Sequence, residues 1–183
     1  MLKKVLLKTV ILLMLFPLKT GSQENIINNP IQPENRYYIK IIISEEKLIL
    51  YEIKNDSLVL VREYAAATAK KGLDVYPIGK GIITKIELEP FWYPTPNTRN
   101  HLAKKGIYVP EKVSPGDPNN FMGAFKIHLS HCTSRGCIYR IHGNNDESQI
   151  GKRVTGGCVR MRNKEGVDFA KTIPVGTEVE IIN

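Results

Sequence analysis

Cys158 stands in the stretch TGGCVRM, residues 155–161, behind two glycines and two places ahead of Arg160. A thiolate that attacks a carbonyl must be approached closely, and Gly156 and Gly157 remove the side chains that would crowd that approach. The same turn can aim backbone N–H groups, that of Cys158 included, at the oxygen of the attacked carbonyl, with Arg160 adding fixed positive charge. The competing reading is a buried structural cysteine in a Gly-Gly turn, because free cysteine is among the most commonly buried residue types. A base separates the two, since a thiol near pH 8.5 is mostly protonated at neutral pH. Sixteen residues upstream, His142 closes an alternating stretch in YRIHGNN, residues 139–145, and is followed at once by Gly143. That pattern predicts a strand end opening into a loop, a place where catalytic side chains are often found.

The elements that would position these two residues are mostly strands. YYIKIII, KLILYEI, LVLVREYAA, KGIITKI, AFKIHLS, CIYRIHG and a closing TEVEII are strand-like runs separated by turn chemistry such as KNDS and PVG. One helix stands out, KEGVDFAKTI, with Asn163 expected as its cap. The fold class that follows is mostly β, a single sandwich or partly closed barrel with one or two short helices.

Residues 1–22 carry Lys3, Lys4 and Lys8 ahead of an apolar run from Val10 to Leu18, then small residues at Thr20 and Ser22. That is the layout of a cleavable export signal, with cutting expected after Ser22 and no membrane span in the mature chain. The run has no cysteine after it, which argues against a lipid anchor. Residues 23–36 are polar and carry two prolines, so they read as a linker, leaving 37–183 as one domain. The whole chain has net charge +8, and without the four lysines of residues 1–22 it has 22 basic and 18 acidic side chains, a net +4. No basic stripe with interleaved aromatics suggests nucleic acid.

With those residues in hand, the chain resembles the catalytic domain of bacterial L,D-transpeptidases, the YkuD-type domain. That family's signature is His-Gly-Thr, a spacer containing a glycine, and Ser-x-Gly-Cys-Ile/Val-Arg; this chain reads HGNNDESQIGKRVTGGCVRM over 142–161. The likeness extends from YPIGKGIITKIELEPFWYP (76–94) through MGAFKIHLS to IPVGTEV (173–179), nearly the whole mature chain. The resemblance implies Cys158 as nucleophile, His142 as general base, and Gly157 with the Cys158 amide in the oxyanion site. Gly143 and Gly151 would be loop glycines and Arg160 an electrostatic position. Asn144 and Thr155 depart from the family's threonine and serine, and Thr155 keeps the hydroxyl. Trp92, Tyr139 and Arg140 are the candidate substrate-binding residues.

The reaction so implied is acyl transfer on peptidoglycan stem peptides, with a terminal D-alanine expelled and the thioester resolved by an amine or by water. The acceptor would be a second stem, a free D-amino acid or a wall-anchored lipoprotein. No metal or organic cofactor is required by this chemistry. Other readings are a cell-wall L,D-carboxypeptidase or cysteine peptidase acting on the same bond, and a murein-binding domain without activity. Cys132 and Cys137 bracket TSRG at an expected hairpin tip, close enough for a disulfide in an exported protein. The rival is a zinc site drawn from His128, His131, Cys132, Cys137 and His142, whose spacing fits no standard finger.

Overall fold

Alternation of β-branched residues with polar ones dictates the sheet that dominates the computed structural model, which describes residues 25–27 and 36–183. The strands are β1 (Asn25–Ile27), β2 (Tyr37–Ile42), β3 (Lys47–Lys54), β4 (Ser57–Ala65), β5 (Thr68–Ala69) and β6 (Gly79–Leu88). Helix α1 (Pro96–Ala103) follows, then β7 (Phe125–Leu129), β8 (Arg140–His142), β9 (Arg153–Thr155) and β10 (Val159–Arg160). Helix α2 (Asn163–Thr172) and β11 (Glu178–Ile182) complete the order. One curled sheet runs β10-β8-β7-β6-β11-β2-β3-β4, with β1 also on β6, and β5 pairs separately with β9.

Register explains the core. Leu50 faces Ile39, which faces Val179, and Leu48 faces Ile41, which faces Ile181. On the other half, Ile86, Ile127, Ile141 and Val159 form one continuous row. All ten belong to a single buried cluster, and full burial of such a side chain contributes about 1.5–3 kcal/mol. Phe169 and Ala170 of α2 join that cluster, and Gly166 gives the Phe125 ring room against the helix. Because side chains alternate along a strand, the polar residues between the apolar ones share the opposite face.

Two expectations need correction. Asn163 is not the cap of α2 but its first residue; the cap position is Arg162, which makes no side-chain cap bond. The Asn163 N–H donates instead to the Glu147 carboxylate (2.8 Å), an acidic group placed favourably at a helix N-terminus. Second, part of the stretch read as linker is strand: Asn25–Ile27 pairs with Leu88–Ile86, and Ile27 packs against the core while Ile26 stays exposed. The expected export signal, residues 1–22, lies outside the described residues. The second of the one or two short helices expected lies in the proline-rich segment. Pro96 occupies the first turn of α1, and Thr95 caps it by accepting from the Thr98 N–H (3.1 Å).

Candidate active site

The polar face opposite the core row carries the site. Register places Glu87 opposite Lys126, Lys126 opposite His142, and His142 opposite Arg160. One step along, Lys85 faces His128 and His128 faces Arg140. Continuing the parallel pairing of β10 with β8 by one residue sets Cys158 level with Arg140 and on the same face as His142. Strand spacing and rise then separate the Cys158 and His142 backbones by roughly 8 Å, a distance two facing side chains can bridge.

His142 is 2% exposed. Its Nδ1 lies 2.8 Å from the Gly143 carbonyl, which can only accept, so the neutral ring carries hydrogen on Nδ1 and its lone pair on Nε2. Burial and the neighbouring Arg160 hold the ring neutral, lowering its pKa to about 3, against the Gly143 and Phe121 carbonyls, which favour the protonated form. The Cys158 thiol is partly buried, and burial pushes its pKa up. The Arg140 backbone amide and the guanidinium groups of Arg140, Arg160 and Arg135 pull it back. The resting pair is therefore neutral thiol and neutral imidazole.

The turn that presents the thiol is closed by Thr155, whose hydroxyl donates to the Cys158 carbonyl (2.6 Å) and accepts from the Gly157 N–H (3.2 Å). This commits the Gly157 amide, expected from sequence in the oxyanion site, to the turn itself. Gly157 has φ +123°, and a Cβ there would press on the Tyr139 ring. Arg160 donates to Gln149 (2.6 Å). Asn144 bonds back onto Asp146 through its own side chain, shaping the loop after His142. Gly143 is pinned from outside by Asn163, whose Oδ1 accepts from the Ala124 and Asn144 N–H groups and whose Nδ2 donates to the Asn144 carbonyl.

Two candidate substrate-binding residues are placed otherwise than expected. Tyr139 is 1% exposed, its ring against Gly157 and its hydroxyl 2.6 Å from Thr133, so it props the turn from beneath. Trp92 is 8% exposed in a satellite cluster with Leu102 and Val113, stacked on Phe121 at 4.6 Å. Its aromatic neighbours supplied enough apolar surface to bury it. Trp92→Ala should therefore cost about 3 kcal/mol or more and lower the melting temperature by roughly 6–12 °C. Unchanged melting with a much raised KM for stem peptide would restore the cleft reading. Arg140 remains partly exposed beside the thiol, donating to the Cys137 and Tyr139 carbonyls.

Glu87 and Lys126 escaped the sequence reading, and His128 entered it only as a member of the rival zinc set. Glu87 is 1% exposed, yet Lys126, His128 and Lys85 surround its carboxylate at 3.1, 2.5 and 3.2 Å. Burial would raise this carboxyl, but those partners prevail and hold it at about 2. The signal was present as polar positions alternating with Ile86 and Ile127. Beyond Asn144, a cavity of about 300 Å³ opens between Glu89, Asp117, Asn120 and Asn163.

Cys132 and Cys137 are joined by a disulfide, leaving Cys158 free. The suggested zinc set is thereby dismantled, and among the described residues no group of three or more His, Cys, Asp or Glu could hold a metal ion. No helix among the described residues is long and apolar enough to cross a membrane.

A family model described as the L,D-transpeptidase catalytic domain, YkuD, matches residues 36–181. The probable L,D-transpeptidase ErfK/SrfK of Escherichia coli strain K12 is 34% identical over 90% of this chain and 50% of its own length. The probable L,D-transpeptidase YcfS of the same strain is 33% identical over 67% of this chain and 41% of its own. The chain thus spans about half the length of the curated relatives it matches. In fold, it resembles L,D-transpeptidase 3 from Mycobacterium tuberculosis, solved in complex with a faropenem-derived adduct, with TM-score 0.55 and 14% identity over 81% of this chain and 61% of that one.

Proposed function

The chain belongs to the YkuD family of L,D-transpeptidase catalytic domains, and from that premise we propose that it is an exported peptidoglycan L,D-transpeptidase with Cys158 as nucleophile and His142 as base. The observation that carries this reading is that Cys158 immediately precedes β10, the parallel neighbour of the strand that ends in His142, with both residues on one face by register and the Gly143 carbonyl orienting the imidazole.

In the proposed reaction, Nε2 of His142 takes the thiol proton as Sγ attacks the carbonyl of the stem's third residue, a diamino acid. The Cys158 N–H receives the oxyanion, since the Gly157 N–H is engaged by Thr155, and Arg140 and Arg160 supply positive charge around it. Collapse breaks the peptide bond; the proton returns from His142 to the departing D-alanine amine, leaving a thioester on Cys158. An acceptor amine then attacks, His142 taking its proton, and the thiol is regenerated by the reverse transfer. The acceptor would be a second stem's diamino acid, a free D-amino acid or a lysine of a wall-anchored lipoprotein. Export through the segment 1–22 and work in the periplasm or cell wall belong to the same proposal.

Incubation of the purified protein with tetrapeptide-bearing muropeptides is expected to release D-alanine and yield dimers linked between the two diamino acids, read by mass spectrometry. Shortened tripeptide without any dimer or exchanged product would make the protein a carboxypeptidase instead. Faropenem, carried as an adduct by a solved relative, is a convenient covalent probe of the thiol.

A further inference from the structure

We infer that Arg135, presented by the loop which the Cys132–Cys137 disulfide closes, is a positioning residue for the turn that carries Cys158. The inference rests on the proposed role of Cys158. Within the closed loop, the Thr133 and Gly136 backbones bond each other in both directions (3.2 and 2.9 Å), and the Arg135 N–H donates to the Thr133 hydroxyl (3.1 Å). That hydroxyl also meets Tyr139, whose ring fills the space a side chain at Gly157 would need. From the tip, the Arg135 guanidinium donates to the Gly156 carbonyl (3.3 Å). At the loop's other end, the Cys137 carbonyl accepts from Arg140 (3.2 Å), and the Ile138 carbonyl lies 3.9 Å from Sγ of Cys158. The disulfide-closed loop thus grips both glycines ahead of the nucleophile.

An exposed arginine held by one carbonyl gains little by itself, because ordering its long side chain offsets the bond. The disulfide changes that balance by restricting the loop before Arg135 makes its contact. The charged and titratable groups facing Cys158 come from three elements: Arg140 and the neutral His142 on β8, Arg160 on β10, and Arg135 on the loop, with Lys126 and Glu87 behind them. Arg135 sits within the loop the disulfide closes, whereas Arg140 stands on β8 and touches only the loop's end through the Cys137 carbonyl. Both bridged cysteines are exposed, so an exported dithiol reductant could reach them. It would pass two electrons and two protons to the bridge, giving two thiols, and become a disulfide itself.

The test is the pH profile of Cys158 alkylation by iodoacetamide, with intact mass after faropenem treatment as a second readout. Arg135→Gln should slow both about three- to tenfold at pH 7 and move the alkylation midpoint to higher pH, with an unchanged melting temperature, as expected for a lost charge near a partly buried thiol. Arg135→Lys should recover part of the rate. Cys132→Ser with Cys137→Ser should produce the same shift, and adding Arg135→Gln to that pair should cost nothing more, since the two act through one contact. A wild-type profile for Arg135→Gln, or losses that add in full, would overturn the inference. Should the double serine variant fail to fold, wild-type protein reduced at the bridge and then treated with faropenem gives the same comparison by mass. An adduct that survives Cys158→Ala would sink the proposed nucleophile instead, which keeps the two failures apart.

Discussion

Cys158→Ala should form no covalent adduct with faropenem and release no D-alanine from muropeptides, and Cys158→Ser should do the same within detection. The expectation rests on the arrangement of the three cysteines: two are bridged to each other, and the third alone lies on the polar face with His142. A serine hydroxyl would keep the shape of the turn but not the nucleophilicity, because its proton is far harder for a neutral imidazole to remove. The fold should be indifferent to either change, since Cys158 contributes no side chain to the buried cluster and the turn is closed by Thr155 through the Cys158 backbone carbonyl. A melting temperature close to wild type alongside total loss of adduct is the expected pair of results. A persistent adduct in Cys158→Ala would transfer the nucleophile to another group and remove the basis of the proposed mechanism.

The two residues tested most directly were also the easiest to read from sequence. Cys158 and His142 declare themselves through their glycines and through strand alternation, and strict period-two patterns at Ile39–Ile41 and Val179–Ile181 exposed the sheet. The short strands β5, β9 and β10 carry too few residues to show a period, so the pairing that sets Cys158 beside β8 had to come from three dimensions. Glu87, Lys126 and His128 each look like ordinary solvent-facing strand residues, and their meeting depends on the register of β6 with β7. Asn163 had the right residue type for a cap and the wrong place by one residue. Its side chain instead ties the chain at Ala124 to the loop behind His142. Trp92 and Tyr139 point toward substrate in the sequence because aromatic side chains suit both a cleft wall and a core, and only burial separates the two.

Replacing His142 by alanine should lower turnover by at least about a hundredfold, the range typical for loss of a general base. Its pH behaviour tests the same assignment independently. With the imidazole neutral down to about 3 and the thiol raised by burial, the resting enzyme holds no thiolate–imidazolium pair. Alkylation of Cys158 should therefore climb steadily through neutral into alkaline pH, with no plateau reaching down toward pH 5. In His142→Ala, alkylation at high pH should stay near wild type, because there the thiolate forms without a base, while turnover remains low; a plateau at acid pH in the wild type would overturn this account. Stability supplies the sign check. The unfolded chain takes up a proton at His142 near pH 6.5 and the folded chain resists it until about 3, so protons favour unfolding across that window. Wild-type protein should lose roughly 4 kcal/mol on this account as pH falls from 6.5 to 3, and His142→Ala should lack that loss. What the variant keeps is the contribution of His128, whose pKa burial and Arg140 also lower, and that of Glu87, present above pH 4.5 and lost as pH falls through about 2, so its acid sensitivity between pH 6.5 and 4.5 should be reduced but not abolished.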